Sequence, residues 1–313
     1  MTWVPDTALT EKELLAPELM ARVQKIQLKT HRLVNTALAG GYRSTFRGGG
    51  IEFEEVRPYM PGDEVRRIDW NVTARNDEAY VKSFREEREL TVDLLVDTSL
   101  SMDFGSGRYT KRESAAQFCA LISLIALRHQ DRVGLTLFGT ETRFHLPAAK
   151  GNNHVLRVIR EVVAARPEQR KSDVSRVIEQ HLRATKRRSM VFLVSDFLGT
   201  EHDPEWGDRL ARLNDRHDVI AVRIVDPFEE RLPQAGILQL RELGTGRLRE
   251  VDTRGKRVRE QWEKDASERR AKLSKTLSRA RVDMIELSAD EEASGPVMRF
   301  FRRRELRYAG RIS

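Results

Sequence analysis

From residue 90 onward, short apolar segments alternate with longer segments in which apolar residues recur every three or four positions. Residues 90–96 are apolar and rich in β-branched side chains, which is typical of a buried strand, whereas residues 109–129 have helical spacing. The same patterns predict further strands over 133–138, 143–146, 189–196, 218–225 and 282–287, and further helices over 152–165, 173–184, 205–214, 257–280 and 296–306.

This alternation predicts an α/β fold, in which a doubly wound and mainly parallel sheet is covered by helices on both faces. An insertion over about residues 226–280 interrupts the alternation before the last strand. Within it, residues 238–243 and 247–251 flank Gly244-Thr245-Gly246, and this pattern predicts a β-hairpin because glycine readily adopts the positive φ of tight turns. We therefore assign the main domain to residues 88–313.

Residues 1–87 precede the predicted sheet and have a different pattern. Apolar positions over 9–38 have the spacing of one or two amphipathic helices, while residues 39–75 are rich in glycine, turn-forming and charged side chains. The second part is therefore predicted to be extended or irregular. Because residues 40–87 contain few apolar side chains for a core of their own, we predict that this segment packs on the main domain as an extension of it.

Composition narrows the class of protein. The chain has 313 residues, of which 39% are hydrophobic and 33% charged, as in globular proteins. The first 20 residues contain four acidic side chains and no apolar stretch, and the longest apolar run, over 118–127, is about half as long as a membrane span. These observations predict a cytoplasmic protein. The single Cys119 lies in that apolar run and is predicted to be a core residue.

The net charge of +8 is concentrated near the C-terminus. Residues 254–313 hold 17 Lys and Arg against 10 Asp and Glu, which leaves +7. The basic residues are interleaved with acidic ones, and this is more typical of a solvated helix face than of a phosphate-binding track. The pattern therefore favours a protein partner over nucleic acid.

Two predicted strands end in an aspartate at the sheet edge where ligands bind in this fold class, namely Asp97 and Asp196. Ser99 and Ser101 follow Asp97 at a spacing that lets a tight loop turn both hydroxyls toward one point, and Ser172 is the best candidate for a third hydroxyl. Carboxylate, hydroxyl and water oxygens are the ligands of hard cations. The set predicts a site for Mg²⁺, with Mn²⁺ or Ca²⁺ as alternatives, at which an Asp or Glu of a partner could complete the coordination.

Asp97-x-Ser99-x-Ser101, the hydroxyl at 172 and Asp196 resemble the metal-ion-dependent adhesion site of von Willebrand factor A domains. The resemblance implies that the three hydroxyls contact the metal and that the two aspartates act directly or through water. The sequence departs from the family at position 172, where serine replaces the usual threonine. Serine keeps the hydroxyl but lacks the β-branch.

A second resemblance involves residues 50–75, which look like the hallmark segment of the domain-of-unknown-function 58 family; residues 226–229 and the turn at Gly244 also fit that family. The residues that we single out in this segment are Glu52, Arg57, Tyr59, Pro61, Gly62, Asp63, Arg67, Asp69, Trp70 and Arg75. The resemblance implies a role as adaptor or co-chaperone for a MoxR-type AAA+ ATPase.

Two interpretations of the charged residues in this segment stay open: a buried Arg–Asp network that holds the segment against the metal domain, and a surface for the partner. The aromatic residues Tyr59 and Trp70 are predicted to pack against the main domain, because aromatic side chains in loop-rich segments usually supply buried area.

Enzymatic motifs are missing from the sequence. It has no phosphate-binding loop, no His-Glu-x-x-His motif and no nucleophile elbow, and position 99 is a serine where a haloacid-dehalogenase-type phosphatase needs a second carboxylate. We therefore predict a non-enzymatic, metal-dependent protein-binding module. The alternatives are a metal-dependent hydrolase of phosphoesters or nucleic acid, suggested by the two carboxylates and the basic C-terminal region, and a scaffold with an inactive metal site.

Overall fold

The computed structural model describes residues 53–60, 68, 70–73, 79–84, 89–166, 172–241 and 248–309. The strands are β1 (Phe53–Pro58), β2 (Tyr80–Phe84), β3 (Thr91–Asp97), β4 (Arg132–Phe138), β5 (Thr142–Ala149), β6 (Met190–Ser195), β7 (Asp218–Val225), β8 (Ile237–Arg241), β9 (Leu248–Asp252) and β10 (Asp283–Ser288). The helices are α1 (Trp70–Thr73), α2 (Lys111–Arg128), α3 (Asn152–Ala164), α4 (Val174–Ala184), α5 (Trp206–Arg216), α6 (Pro227–Glu230), α7 (Lys256–Arg279) and α8 (Ser294–Ala309). Short 3₁₀ helices span Leu100–Asp103 and Thr200–His202.

A six-stranded sheet has the order β10-β7-β6-β3-β4-β5. Its neighbouring strands are parallel except for β4 and β5, which are antiparallel. The predicted doubly wound, mainly parallel α/β sheet is therefore confirmed. The chain moves outward from β3 to β4 and β5 and then returns to β6 on the other side of β3. This reversal between β3 and β6 is the point at which such sheets open a crevice at the carboxyl ends of their strands.

Helices cover both faces of this sheet. One face packs on α2, α3 and α8, and the other packs on α4, α5 and α7. Successive strand residues contribute to opposite faces, so that Leu94 lies in the first layer and Leu95 in the second. Phe118 of α2 meets Phe192 of β6 edge to face, with 5.3 Å between the ring centroids. Cys119 is fully buried in the first layer, which confirms its prediction as a core residue.

Helix α2 begins with a capping box that follows the loop after β3. The Thr110 hydroxyl accepts a hydrogen bond from the Glu113 N–H at 3.1 Å, and the Glu113 carboxylate accepts one from the Thr110 N–H at 2.9 Å. These bonds satisfy two of the N–H groups that the start of a helix leaves unpaired. The Lys111 N–H also donates to the Phe104 carbonyl at 2.9 Å. The start of α2 is therefore fixed relative to this loop.

Two antiparallel strand pairs lie outside the six-stranded sheet. β8 pairs with β9, which confirms the strands of the predicted hairpin, although its turn lies outside the described residues. β1 pairs with β2, and the sequence had predicted only extended or irregular structure over 39–75. The pairing was missed because the partner strand β2 lies beyond that segment. The helices predicted over 9–38 lie outside the described residues, and the domain boundary near residue 88 stays a prediction.

The helices of the described residues were compared with the length and hydropathy of a membrane span. Within the described ranges, none combines the length and the apolar character that crossing a bilayer requires.

Candidate metal centre at the carboxyl ends of the strands

Three neighbouring strands of the sheet have an aspartate at or directly after their last residue, so the three aspartates lie at the carboxyl edge of the sheet. Asp97 ends β3, Asp196 follows β6 and Asp226 follows β7. All three are buried, with exposed fractions of 1%, 4% and 0% respectively. Burying carboxylates is costly unless they are paired or hydrogen-bonded. The partners of these three groups therefore define the chemistry of this edge.

The loop after β3 brings the hydroxyls of Ser99 and Ser101 together. The Asp97 Oδ1 atom accepts a hydrogen bond from the Ser99 N–H at 2.8 Å, which turns the chain at the end of the strand. The Ser99 and Ser101 Oγ atoms then lie 3.0 Å apart. The Met102 N–H donates to the Ser99 carbonyl at 3.0 Å, and the fully buried Met102 side chain anchors the loop in the core. The spacing of the two serines thus produces the close approach that the sequence predicts.

Asp97 also receives a hydrogen bond from the neighbouring strand. Val96 of β3 lies beside Val194 of β6, so Ser195 stands level with Asp97, and its hydroxyl donates to Asp97 Oδ2 at 2.6 Å. Burial raises the pKa of Asp97 to about 6, and the negative charge of Asp196 acts in the same direction. The hydrogen-bond donors to Asp97 are neutral, so they offset this burial only in part.

Lys111 of α2 places a buried ammonium at the same edge. Its Nζ atom donates to Asp196 Oδ2 at 2.7 Å and to Glu229 Oε1 at 2.5 Å. Asp196 also accepts a hydrogen bond from the Leu198 N–H at 3.0 Å, and the Ser101 hydroxyl favours its charged form. Burial alone would raise the pKa of Asp196, but Lys111 and these donors bring it below its ordinary value. Although burial opposes it, the two carboxylates raise the pKa of Lys111. Lys111 and Asp196 therefore form an ionised pair.

Asp226 ties the loop after β3 to the segment after β7. Its carboxylate accepts hydrogen bonds from the Ser106 N–H, at 2.6 Å, and from the Ser106 hydroxyl. It also caps α6 by accepting from the Phe228 N–H at 2.8 Å. Glu229 completes this cap by accepting from the Asp226 N–H at 3.3 Å, and the same side chain reaches Lys111. The four-residue sequence at 226–229 therefore holds the loop and positions a partner for the buried ammonium.

Ser172 lies in the loop before α4, near the carboxyl end of β4. The Asp173 N–H donates to the Gly139 carbonyl at 2.8 Å, and the Thr98 N–H donates to the Phe138 carbonyl at 2.7 Å. The end of β4 therefore holds both this loop and the loop after β3. The hydrogen bonds of the described residues do not join Ser172 to the other four candidate ligands, so its role in the site stays a prediction.

The residues at this edge fit a hard divalent cation. No group of three or more His, Cys, Asp or Glu side chains in the described part of the chain is arranged to hold a metal ion. An ion would therefore depend on the hydroxyls of Ser99 and Ser101 and on water as well as on carboxylates, and such a donor set suits Mg²⁺. This edge holds three carboxylates, those of Asp97, Asp196 and Glu229, and one ammonium, that of Lys111, so negative charge is in excess. A divalent cation would neutralise the remaining negative charge.

Comparison with known proteins gives the family. The family model described as Protein of unknown function DUF58 matches residues 55–272. The chain belongs to the DUF58 family. Among its relatives, the uncharacterized protein Rv1480 of Mycobacterium tuberculosis is 30% identical over 287 residues, which cover 91% of this chain and 89% of that protein. The uncharacterized protein YeaD of Bacillus subtilis is 28% identical over 110 residues, or 35% of this chain and 25% of that protein. The family resemblance drawn from the sequence is confirmed.

Solved structures similar to this DUF58 chain include the conserved hypothetical protein BatB from Bacteroides thetaiotaomicron, with 14% identity and a TM-score of 0.41 over 71% of this chain and 99% of that one. They also include the SpRpn10 VWA domain, with 12% identity and a TM-score of 0.38 over 67% of this chain and 94% of that one. The fold class stated above follows from the sheet order and strand directions of the DUF58 chain itself.

The hallmark segment of the DUF58 chain is described in part. The Tyr59 N–H donates to the Ala79 carbonyl at 2.7 Å, and its side chain is half-buried; Arg57 lies in β1. The remaining residues singled out from the sequence, apart from Trp70, lie outside the described residues: Glu52, Pro61, Gly62, Asp63, Arg67, Asp69 and Arg75. Both interpretations of the charged residues therefore stay open.

The prediction that Trp70 packs against the main domain is wrong, because this side chain is 67% exposed. Trp70 begins α1, a helix of a single turn. The contact that holds α1 to β2 involves the last residue of that turn, since the Thr73 hydroxyl accepts from the Tyr80 N–H at 3.0 Å. The backbone is thereby fixed without covering the Trp70 ring.

Sequence reasoning missed Lys111, Ser195 and Glu229 as parts of the site. Lys111 stands at the first position of an apolar helix, where a cation is opposed by the helix dipole, and this mismatch could have identified it. Glu229 belongs to the 226–229 sequence already associated with the family. Nothing in the sequence distinguishes Ser195, because its contact with Asp97 depends on the pairing of β3 with β6.

Proposed function

We propose that this DUF58 chain is a non-enzymatic protein-binding module whose contact with its partner is completed by a divalent cation, Mg²⁺, at the carboxyl ends of β3 and β6. The observation that supports the proposal is the convergence of Asp97, Ser99, Ser101 and Asp196 at one edge with an excess of negative charge. In this proposal Asp97 and the hydroxyls hold the ion, with Ser172 as the third hydroxyl. Asp196 acts directly or through water.

The edge is accessible on one side. Asp97 and Ser99 are buried, whereas Ser101 and Leu198 are partly exposed. Leu198 is 36% exposed and its N–H donates to Asp196 Oδ1 at 3.0 Å, so an exposed apolar residue adjoins the proposed ligand set. An Asp or Glu of a partner could reach the ion from this side while a neighbouring apolar residue packs on Leu198. The partner that we propose is a MoxR-type AAA+ ATPase in the cytoplasm, or its client, as the family resemblance implies.

Metal binding is tested by thermal unfolding of the natural chain and of Asp97→Ala, each after chelation and again with millimolar Mg²⁺. An ion at about 100 times its dissociation constant should stabilise the native state by roughly 2.7 kcal/mol, which raises the midpoint by several degrees. The Mg²⁺-dependent rise should disappear in Asp97→Ala. The comparison is made within each variant, because loss of the Ser99 and Ser195 hydrogen bonds also lowers the midpoint without metal.

Partner binding is tested with the purified MoxR-type ATPase in Mg²⁺ and in chelator. We expect Asp97→Ala and chelation to weaken binding at least tenfold, while Asp208→Ala, which changes an exposed aspartate of α5, leaves it unchanged. Full affinity of Asp97→Ala for the partner would contradict the proposal. Turnover of phosphoester or nucleic-acid substrates with Mg²⁺ or Mn²⁺, lost in Asp97→Ala, would replace it with a hydrolase.

A further inference from the structure

Lys111 is the most unfavourably placed cation at this edge of the sheet. Its side chain is fully buried, and an ammonium loses most of its hydration energy on burial. It also stands at the first position of α2, where the helix dipole opposes positive charge. Its ion pairs with Asp196 and Glu229 offset these costs. The ammonium is therefore part of the charge balance of the edge.

The ammonium is bound directly to one of the proposed metal ligands. Lys111 donates to Asp196 Oδ2 at 2.7 Å, and the Ser101 hydroxyl, which lies 3.0 Å from that of Ser99, also favours the charged form of Asp196. A divalent cation held by Asp97, Ser99 and Ser101 would therefore share the negative charge of Asp196 with a fixed positive charge. Two positive charges that share one buried carboxylate repel each other with a free energy that changes binding constants by tenfold or more.

We infer that Lys111 is an internal counter-ion that weakens the hold of this site on a divalent cation and occupies one oxygen of Asp196, so that the ion binds more firmly when a partner carboxylate joins it. This inference rests on the proposed function and adds its regulation. Because the partner carboxylate brings back the negative charge that Lys111 neutralises, metal and partner bind cooperatively. The free protein then binds the cation more weakly than its complex with the partner does.

Glu229 sets how strongly Lys111 acts. Its carboxylate pairs with the ammonium and is not one of the proposed ion ligands, so it neutralises part of the Lys111 charge. Glu229 lies on α6, and α6 is held to α7 by the Trp262 Nε1–H, which donates to the Phe228 carbonyl at 3.0 Å, and by Arg269, which donates to the Glu229 carbonyl at 3.5 Å. The position of α6 on α7 therefore determines the charge that the metal site experiences.

The inference is tested by measuring Mn²⁺ affinity, with Mn²⁺ alone as the probe, by titration calorimetry and by the loss of the free-ion paramagnetic resonance signal. The full chain is compared with Lys111→Met, Glu229→Gln and the double variant. Lys111→Met should bind Mn²⁺ at least tenfold more tightly, and Glu229→Gln should bind it several-fold more weakly. The double variant, which has the same net charge as the natural chain, should return to within a few-fold of it.

Lys150→Met is the matched control, since Lys150 also pairs with a glutamate, Glu89, but at the opposite edge of the sheet. It should leave Mn²⁺ affinity unchanged. Circular dichroism establishes that each variant is folded. If Lys111→Met does not fold, the other two variants decide. Glu229→Gln must then bind Mn²⁺ more weakly than the natural chain, and the double variant must bind it with an affinity close to that of the natural chain.

The outcomes separate this inference from the proposed function. Unchanged or weaker Mn²⁺ binding by a folded Lys111→Met, beside a natural chain that binds Mn²⁺ and its partner through Asp97, overturns the inference alone. Mn²⁺ binding by Lys111→Met with none by the natural chain alone supports the counter-ion role of Lys111. If the natural chain also binds no Mn²⁺ with its partner present, the cooperativity is overturned and the cation is removed from the proposed function. No binding by any of the proteins overturns both.

Discussion

The three buried aspartates at the carboxyl edge of the sheet are stabilised by different hydrogen-bond donors. Asp97 receives hydrogen bonds from a hydroxyl and an amide, whereas Asp196 is also paired with an ammonium. Asp226 accepts two hydrogen bonds from Ser106 and one from the Phe228 N–H while being fully buried. Hydrogen bonds to a charged acceptor contribute about 1.5 to 3 kcal/mol each. Asp226 is thus the residue that joins the two loops most directly.

Replacing Asp226 by asparagine should lower the free energy of unfolding by about 2 to 3 kcal/mol. The amide keeps the size of the side chain, but its NH₂ group would replace either the oxygen that accepts from the Ser106 N–H or the oxygen that accepts from the Ser106 hydroxyl and the Phe228 N–H, and so leave a buried donor unpaired. Urea denaturation measures the change. Asp215→Asn, at an exposed position of α5, is the control and should stay within about 0.5 kcal/mol of the natural chain. Equal stability of the two variants would contradict the joining role of Asp226.

At the scale of elements, the site depends on where α2 begins. The capping box of Thr110 and Glu113 fixes the first turn, and the Lys111 side chain extends from that turn to Asp196. The loop before it is held at Ser106 by Asp226 and at Phe104 by the Lys111 N–H. Strand β3, its loop and α2 therefore act as one unit.

Removing the cap with Thr110→Ala should cost about 1 kcal/mol of stability, because the Glu113 N–H loses its acceptor. Thr110→Ser keeps the hydroxyl and should lose only a few tenths of that amount. Urea denaturation gives both values. Hydrogen exchange of the amides in the first turn of α2 should accelerate in Thr110→Ala and not in Thr110→Ser. An equal loss in the two variants would show that the hydroxyl does not cap the helix.

Across the whole molecule, a second buried polar cluster lies away from the candidate metal centre, on the face of the sheet covered by α4. The His181 Nε2 atom lies 3.7 Å from Asp93 Oδ2, the rings of His181 and His217 are 5.1 Å apart, and His217 Nδ1 lies 3.0 Å from the Ser189 hydroxyl. Burial lowers the pKa of both histidines to about 4. Repulsion from His145 lowers the pKa of His181 further, and repulsion from His181 lowers the pKa of His217 further. Both are therefore neutral at pH 7.

This cluster should make the protein less stable in mild acid. Unfolded histidines take up protons below about pH 6.5 while the native ones do so only near pH 4, so the free energy of unfolding falls between these values. A shift of this size is on the order of 3 kcal/mol for one buried histidine. Burial raises the pKa of Asp93, which acts in the opposite direction and reduces the loss at the acidic end.

Thermal midpoints at pH 7.5, 6 and 5 measure this effect. His181→Leu should flatten the decline, because it removes one of the buried histidines that resist protonation in the native state. His202→Asn, which changes a histidine whose side chain is 77% exposed, should leave the decline unchanged. A decline of the same slope in His181→Leu and the natural chain would exclude His181 as its source.

The sequence by itself determined the α/β class, the main strands and helices and the close approach of Ser99 and Ser101. These features depend on neighbouring residues in the sequence. The period of the hydrophobic positions indicates which face of a helix or strand is buried. A single turn after β3 brings Ser99 and Ser101 together. Family membership could also be predicted, because residues 50–75 and residues 226–229 each form a continuous segment that can be recognised without the fold.

Only the tertiary structure decided which side chains meet at the sheet edge. Lys111 meets Asp196 and Glu229, and Ser195 meets Asp97, across long separations in sequence that close only when β3 pairs with β6 and α2 packs on the sheet. The exposure of Trp70 likewise could not be predicted from the local sequence. Such contacts depend on strand order and helix placement, which result from packing of the whole chain, and no local pattern of residues encodes them.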